Sequence, residues 1–255
     1  MLPALFIGHG SPMNALGESA YAEYLGRLGR DLPRPRGILM VSAHWETLNS
    51  EVLDVVAPAT IHDFFGFPSE LYQIQYPAPI ASQVVSRVTE LLGNSVTRSQ
   101  SWGFDHGAWA VLRFLYPDAD IPVTQLSLNK GLTLREHYNL AVRLRPLRQE
   151  GFLVVGSGNI VHNLRDFSWS SETLPFPWAV KFDRAIAQAL EQRDLDTLVD
   201  FKGLDVELVK RAVPSSEHFV PLVYVLGVSE IQEQVTFPFT AIQNGSVAMR
   251  SVRFG

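Results

Sequence analysis

The sequence predicts a single α/β domain in which helices cover both faces of a central sheet. Two observations predict this class: buried, strand-like apolar runs alternate with helical stretches, and no internal repeat, low-complexity tract or linker interrupts the alternation. Strands buried on both faces are typical of a mostly parallel sheet. We therefore expect one domain spanning residues 1–255.

The individual elements follow from local patterns in chain order. Apolar runs predict strands at 5–8, 37–46, 50–57, 121–128 and 151–159. Amphipathic spacing predicts helices at 18–32, 79–93, 108–117, 133–149, 177–192, 194–201, 204–212 and 217–226. Near the end, Asn244-Gly245 separates two strand-like runs, which is the strongest short signal for a β-hairpin.

Composition limits the kinds of function. With 46% hydrophobic and 18% charged residues, the chain has the composition of a globular protein with a substantial core. Its net charge of −5, with scattered basic residues, argues against a nucleic-acid partner. No signal peptide or membrane-length apolar run is evident, so we expect a cytoplasmic protein without a membrane partner. There are no cysteines, so any metal must be held by His, Asp or Glu.

The positions of the histidines suggest a shared site. His9 ends the first predicted strand, His44 follows the apolar part of the second, and His162 follows the glycines that end a third. Because open α/β sheets keep their ligand crevice at the carboxyl ends of the strands, these three side chains should converge. Imidazole is a common ligand of zinc and non-haem iron, so a metal or catalytic cluster is predicted. His137 lies among charges within a helix, and we expect it on a solvated face.

Six sequence blocks then identify a resemblance. They are ALFIGHGSPMNA, VSAHWE, TIHDFFGFP, WGFDHGAWAVL, GNIVHNLR and EHFVPLVYVLG, in this order, from residue 4 to residue 227. Together they resemble the class III extradiol ring-cleavage dioxygenases, and within them the 4,5-DOPA extradiol dioxygenase branch. The resemblance implies a three-layer α/β domain with one non-haem Fe(II) for activity, although Zn(II) is often found in such sites.

The resemblance also implies a set of metal ligands. His9 and His44 match the two metal-binding histidines of the family, and His218 matches a further ligand in this branch. His162 matches a histidine that is assigned either as an acid/base or as another ligand. The wider superfamily uses two histidines and one glutamate. Since this chain has Glu217 beside His218, either residue is a candidate third ligand.

Other residues are implied to act on the substrate. His106 and His62 match histidines that face the substrate in the family. Trp45 and the aromatic loop that contains Phe65 could pack against a flat ring and exclude water. Asp63 either orients a neighbouring histidine or faces solvent.

The expected reaction is opening of a catechol ring by O2 to give a muconic semialdehyde. His162 is the expected general base, and His106 is the expected proton donor or hydrogen-bond partner of oxygen. Two alternatives stay open on the sequence: a Zn-dependent hydrolase that uses the same histidines to activate water, and a binding protein on a dioxygenase scaffold. The physiological catechol and the oligomeric state are not specified by the sequence.

Overall fold

The computed structural model of the chain describes residues 1–170 and 172–255. The strands are β1 Ala4–Gly8, β2 Gly37–Ser42, β3 Glu46–Thr47, β4 Glu51–Leu53, β5 Thr97–Ser99, β6 Val123–Gln125, β7 Leu128–Asn129, β8 Phe152–Gly158, β9 Val235–Phe239, β10 Ile242–Gln243, β11 Val247–Ala248 and β12 Ser251–Phe254. The helices are α1 Ala20–Asp31, α2 Ser82–Leu92, α3 His106–Leu115, α4 Leu134–Val142, α5 Pro146–Gln149, α6 Pro177–Gln192, α7 Leu195–Asp200, α8 Val206–Ala212 and α9 Val220–Val228.

A six-stranded sheet forms the centre of the fold, in the order β6-β2-β8-β1-β12-β9. The first four strands of this order run parallel, and β12 and β9 add antiparallel pairs at one side. The carboxyl ends of β2, β8 and β1 therefore lie side by side at one edge. The prediction of a mostly parallel sheet is confirmed.

Helices cover both faces of the sheet. Along β1, Leu5 and Ile7 pack into one core with α1 and α3, and Ala4 and Phe6 pack into the opposite core with α2, α4, α6 and α9. This division follows from the alternation of side chains along a strand. The predicted α/β architecture is confirmed, and the two buried faces explain why the strands read as continuous apolar runs.

The predicted C-terminal hairpin is present. Strands β10 and β11 pair antiparallel around Asn244 and Gly245, whose φ angles are 52° and 79°. Two consecutive positive φ angles are what a tight turn with the twist of the strands requires, and Asn-Gly supplies them at low cost.

Several predicted boundaries change in the structure. The helix expected at 133–149 is divided into α4 and α5, and Pro146 starts the second part. The helix expected at 217–226 begins only at Val220, so His218 lies in the turn before it. Within the described residues, none of the helices is both long and apolar enough to cross a membrane.

The expectation that His137 is solvated is wrong. Its side chain is 2% exposed, and its Nδ1 lies 3.2 Å from the hydroxyl of Tyr224 in α9. His137 shares a helix face with the buried Leu140 and Ala141, three and four residues on, and this face packs against α9. Its charged sequence neighbour Glu136 is exposed.

Candidate metal centre

The edge of the sheet brings the strand-end histidines together. His9 directly follows β1, His44 lies two residues beyond β2, and His162 lies four residues beyond β8. The chain stays in register past the strand ends, because the amide of His9 donates to the Gly158 carbonyl (3.2 Å) and Ala43 donates to the Ser157 carbonyl (3.0 Å). The convergence expected from the sequence is present at this edge.

The glycines around these histidines allow close backbone approach. A Cβ on Gly158 would lie 2.1 Å from the carbonyl oxygen of His218, and one on Gly156 would lie 2.4 Å from that of Pro221. A Cβ on Gly8 would lie 2.7 Å from backbone atoms of Met249. The glycines therefore let the segment that carries His218 and the C-terminal chain pack directly on the strand ends.

Three histidines form the centre of the cluster. The Nε2 atoms of His9 and His44 are 3.0 Å apart, and the ring of His218 has its centroid 5.4 Å from that of His9 and 5.1 Å from that of His44. Each of the three offers one ligand atom, and these atoms lie within 4.8 Å of one another. Nitrogen atoms at this spacing can surround one divalent ion.

Each of these imidazoles has a partner for its other nitrogen. Nδ1 of His9 lies 2.9 Å from Ser157 Oγ, and Nδ1 of His218 lies 3.0 Å from Glu217 Oε1. Such partners fix which nitrogen of a metal-binding histidine carries the proton. For His218 the carboxylate can only accept, so Nδ1 carries the proton and Nε2 keeps its lone pair.

Asp63 faces the Nδ1 atoms of two histidines at ion-pair distance. Its Oδ2 lies 3.3 Å from Nδ1 of His44, and its Oδ1 lies 3.0 Å from Nδ1 of His106. The side chain of Asp63 is only 17% exposed, so it does not simply face solvent.

His106 and His162 flank the three central rings. His106 is the first residue of α3, which is capped by Asp105, and its ring centroid is 3.9 Å from that of His44. His162 stacks on His218, with centroids 3.5 Å apart and planes 10° apart. A Cβ on Gly107 would lie 2.9 Å from the His44 ring, so this glycine lets the start of α3 approach the cluster.

The electrostatics favour neutral imidazoles beside an ionised Asp63. Burial and the neighbouring histidines lower the pKa of His9 and of His218 well below the usual value. Burial and the charge of His106 lower the pKa of His44 to about 3, and burial lowers that of His162 to about 4. Burial would raise the pKa of Asp63, but its contacts with His106 and the charge of His44 lower it to about 2. Neutral imidazole lone pairs backed by carboxylates suit a divalent cation.

The predicted substrate-binding aromatics lie in different settings. Trp45 is 3% exposed and stacks on Trp102 inside the core, whereas Phe65 is 91% exposed. Phe64 is half-buried, with its ring edge-on to His106 at 5.6 Å. His62 donates from Nε2 to the Ile74 carbonyl (3.0 Å), and its ring lies 5.6 Å from Trp109.

The sequence did not indicate the role of Ser157, and it named Phe64 only as one residue of the aromatic loop. Ser157 occupies the middle of a Gly-Ser-Gly strand end, and this local pattern was the available signal. Phe64 belongs to a run of aromatic residues in an irregular loop, where no periodicity distinguishes inward from outward side chains.

With this geometry in place, the chain can be compared with known proteins. Residues 5–249 match the family described as the catalytic LigB subunit of aromatic ring-opening dioxygenase. The chain belongs to this LigB family. The resemblance to extradiol dioxygenases seen in the sequence blocks is thereby confirmed.

Relatives of this LigB-family chain carry consistent names. A protein of Escherichia coli K12 named 4,5-DOPA dioxygenase extradiol is 44% identical, over 100% of this chain and 95% of the relative. A protein of the same name from Beta vulgaris is 35% identical, over 98% of this chain and 95% of the relative. The crystal structure of an uncharacterized protein from Escherichia coli K12 superimposes with a TM-score of 0.87 at 40% identity, over all of both chains.

The LigB-family chain is therefore an enzyme, an extradiol ring-opening dioxygenase that takes a small-molecule substrate and O2. The family implies a metal ion. The cluster of histidines and carboxylates described above has the donor chemistry to hold one.

Proposed function

We propose that the enzyme opens the ring of a catechol related to DOPA, using O2 and one Fe(II), to give a muconic semialdehyde. The observation that carries the proposal is the trio His9, His44 and His218, whose ligand atoms lie within 4.8 Å of one another at the strand ends. The names of the relatives support a DOPA-like substrate.

In this proposal His9, His44 and His218 hold the metal through Nε2. Of the two candidates for the third ligand, His218 is favoured, because its ligand atom groups with those of His9 and His44, whereas that of Glu217 groups with His162 and His218. Bound there, Fe(II) supplies open coordination positions and the redox change that ring opening by O2 requires.

His162 is proposed as the general base rather than as a fourth ligand. A histidine lone pair lies in the plane of its ring, and the planes of His162 and His218 are nearly parallel and 3.5 Å apart. Planes in this arrangement meet only far from either ring, so an ion in the plane of His218 would lie outside the plane of His162, which favours the role of base. The ring of His162 is neutral near pH 7, since burial lowers its pKa to about 4, and a ring nitrogen can accept a catechol proton.

His106 is proposed to give a proton to the reacting oxygen or to hydrogen-bond it. Its ring is 6% exposed, lies against His44 and is held by Asp63. Phe64, next to His106, is proposed to pack against the catechol ring and exclude water, with His62 as a further predicted substrate contact. The substrate contacts of Trp45 and Phe65 stay predictions from the resemblance. Trp45 is buried, so it can act only through its packing in the core.

The test is anaerobic reconstitution with Fe(II), and separately with Zn(II), followed by L-DOPA or another catechol and air. We expect oxygen uptake and a yellow semialdehyde with Fe(II) alone, and their loss in His9→Ala. Zinc has no accessible redox change, so the zinc-loaded enzyme should show neither oxygen uptake nor a yellow product. Tight zinc binding with no oxygen uptake for any catechol would instead favour a zinc-dependent hydrolase, which the three-histidine donor set also suits.

A further inference from the structure

Asp63 contacts two histidines to which the proposed function gives different tasks. Oδ2 lies 3.3 Å from Nδ1 of His44, a proposed metal ligand. Oδ1 accepts the backbone N–H of His106 (2.9 Å) and lies 3.0 Å from Nδ1 of the same residue. The ring contact is too bent for a hydrogen bond, so Nδ1 of His106 is a buried nitrogen without a hydrogen-bond partner among the described residues. One carboxylate is thus the partner of both imidazoles.

The segment before Asp63 is fixed by several backbone contacts. It pairs with the chain before α3: Ile61 donates to the Phe104 carbonyl (2.7 Å), and Phe104 donates to the Ala59 carbonyl (2.8 Å). A Cβ on Gly103 would lie 2.2 Å from the Ala59 carbonyl, so only glycine permits this pairing. Trp109 of α3 also donates from Nε1 to the Ile61 carbonyl (2.8 Å). Asp63 is therefore held in register with His106.

The chemistry of a carboxylate determines what this contact does. An ionised carboxylate repels the lone pair of a nitrogen that faces it, so the contact favours the tautomer of each imidazole that carries its proton on Nδ1. Nε2 of His44 then keeps a lone pair directed at His9, 3.0 Å away. Nε2 of His106 is likewise left with a lone pair, so it takes up a proton from the substrate before it gives one to the reacting oxygen.

We propose that Asp63 is a shared positioning residue that sets the tautomer and orientation of both His44 and His106, coupling metal retention to proton handling. The inference rests on the proposed roles of these two histidines. It differs from the role of Glu217, which contacts only His218 among the clustered histidines of the described chain.

The primary test uses the zinc-loaded protein and needs no turnover. The Kd for Zn(II) is measured by competition with a chromophoric chelator for the parent protein, Asp63→Asn, Glu217→Gln and Asp54→Asn. Asp54 is a matched control, because it pairs with Arg98 outside the cluster. We expect Asp63→Asn and Glu217→Gln each to weaken zinc binding by about 10- to 100-fold, the usual effect of removing a partner of a ligand, and Asp54→Asn to leave it unchanged.

The second measurement separates the two carboxylates. Nitrogen-15 spectra of the histidine rings in the zinc-loaded protein report which nitrogen of His106 is protonated. We expect Nδ1–H in the parent protein and in Glu217→Gln, and a mixture of tautomers in Asp63→Asn. With Fe(II) at saturation, kcat should stay low in Asp63→Asn, with KM little changed, whereas Asp54→Asn should keep the parent kcat.

Two results would overturn the proposal. One is a zinc Kd for Asp63→Asn within about twofold of the parent value, far from the usual effect. The other is an Nε2–H tautomer of His106 in the parent protein, which needs no variant and so holds even if Asp63→Asn fails to fold. If no catechol is turned over, the proposed function fails, while the zinc and nitrogen-15 results still decide whether Asp63 serves both histidines.

Discussion

The rings of His162 and His218 lie face to face, 3.5 Å apart and 10° from parallel. Two in-plane lone pairs cannot meet at one ion in this arrangement. Substitution of the two histidines should therefore have different effects on metal binding. We expect His218→Ala to weaken Zn(II) binding by more than about 100-fold, and His162→Ala to leave it within about fivefold while abolishing ring opening. Chelator competition and oxygen uptake measure the two effects. If both variants lost zinc affinity to the same extent, His162 would be a metal ligand and the prediction would be wrong.

Gly158 offers a test of how the backbone builds the site. A Cβ there would lie 2.1 Å from the His218 carbonyl, so Gly158→Ala should displace His218 and weaken Zn(II) binding about 10-fold or more. Gly26→Ala is the matched control: its Cβ makes ordinary contacts with an Arg30 side-chain atom at 3.5 Å and the Phe114 carbonyl at 3.8 Å, and alanine should stabilise α1 by up to about 1 kcal/mol. Unchanged zinc affinity in Gly158→Ala would contradict this prediction. It would show that the end of β8 shifts without displacing His218.

His137 predicts a pH dependence of stability away from the metal centre. Burial lowers its pKa to about 4 in the folded protein, against about 6.5 in the unfolded chain. The unfolded state therefore binds the proton first as pH falls, and stability is lost progressively from about pH 6.5 to about pH 4. The full effect is up to about 3 kcal/mol.

The measurement is urea unfolding of the metal-free protein between pH 7 and pH 4. His137→Gln cannot take up the proton, so the parent protein should lose more stability than the variant over this interval. The other buried histidines titrate in both proteins and cancel in the difference. Parallel stability curves would contradict the prediction.

Local patterns predicted much of the fold and the place of the site. The strand before His9 and the one before His162 were recognisable because buried strands read as apolar runs ended by glycine. The same runs predicted a parallel sheet, and a parallel sheet places its strand ends at one edge. The helix at Pro177–Gln192 and the Asn-Gly hairpin have strong local signals of their own and were predicted correctly.

Contacts between distant segments could not be predicted in this way. Ser157 approaches His9 across 148 residues of sequence, and no local pattern records that approach. The burial of His137 depends on α9, which packs on α4 only in the folded chain. His218 was expected inside a helix because the apolar pattern extends over the turn that precedes Val220.

Arg148 and Glu233 form a buried pair that should dominate local stability. The guanidinium is 0% exposed, binds both carboxylate oxygens at 2.7 and 2.5 Å, and donates to the Leu2 carbonyl at the start of the chain. Arg148→Met leaves the Glu233 charge unpaired, so we expect a loss of about 3–5 kcal/mol in urea unfolding. Arg34, 62% exposed and paired with Asp120, is the control, and Arg34→Met should cost less than about 1 kcal/mol. Similar losses of unfolding free energy in Arg148→Met and Arg34→Met would contradict the prediction.

Phe64 and Phe65 are adjacent aromatic residues with opposite settings, and they test the proposed substrate contact. Phe64 lies edge-on to His106 at 5.6 Å, whereas Phe65 is 91% exposed. We expect Phe64→Ala to raise KM for a catechol by about 5- to 20-fold, as the loss of a ring contact worth about 1–2 kcal/mol requires. Phe65→Ala should leave KM within about twofold, since an exposed ring gains little.

The comparison needs steady-state oxygen uptake with the Fe(II)-loaded enzyme and a zinc Kd for each variant. Unchanged zinc affinity in Phe64→Ala would show that the metal centre is intact and that the higher KM comes from the substrate side. If Phe65→Ala raised KM and Phe64→Ala did not, the loop would close over the substrate with its outer ring. Phe65, which was named from the sequence, would then be the substrate contact.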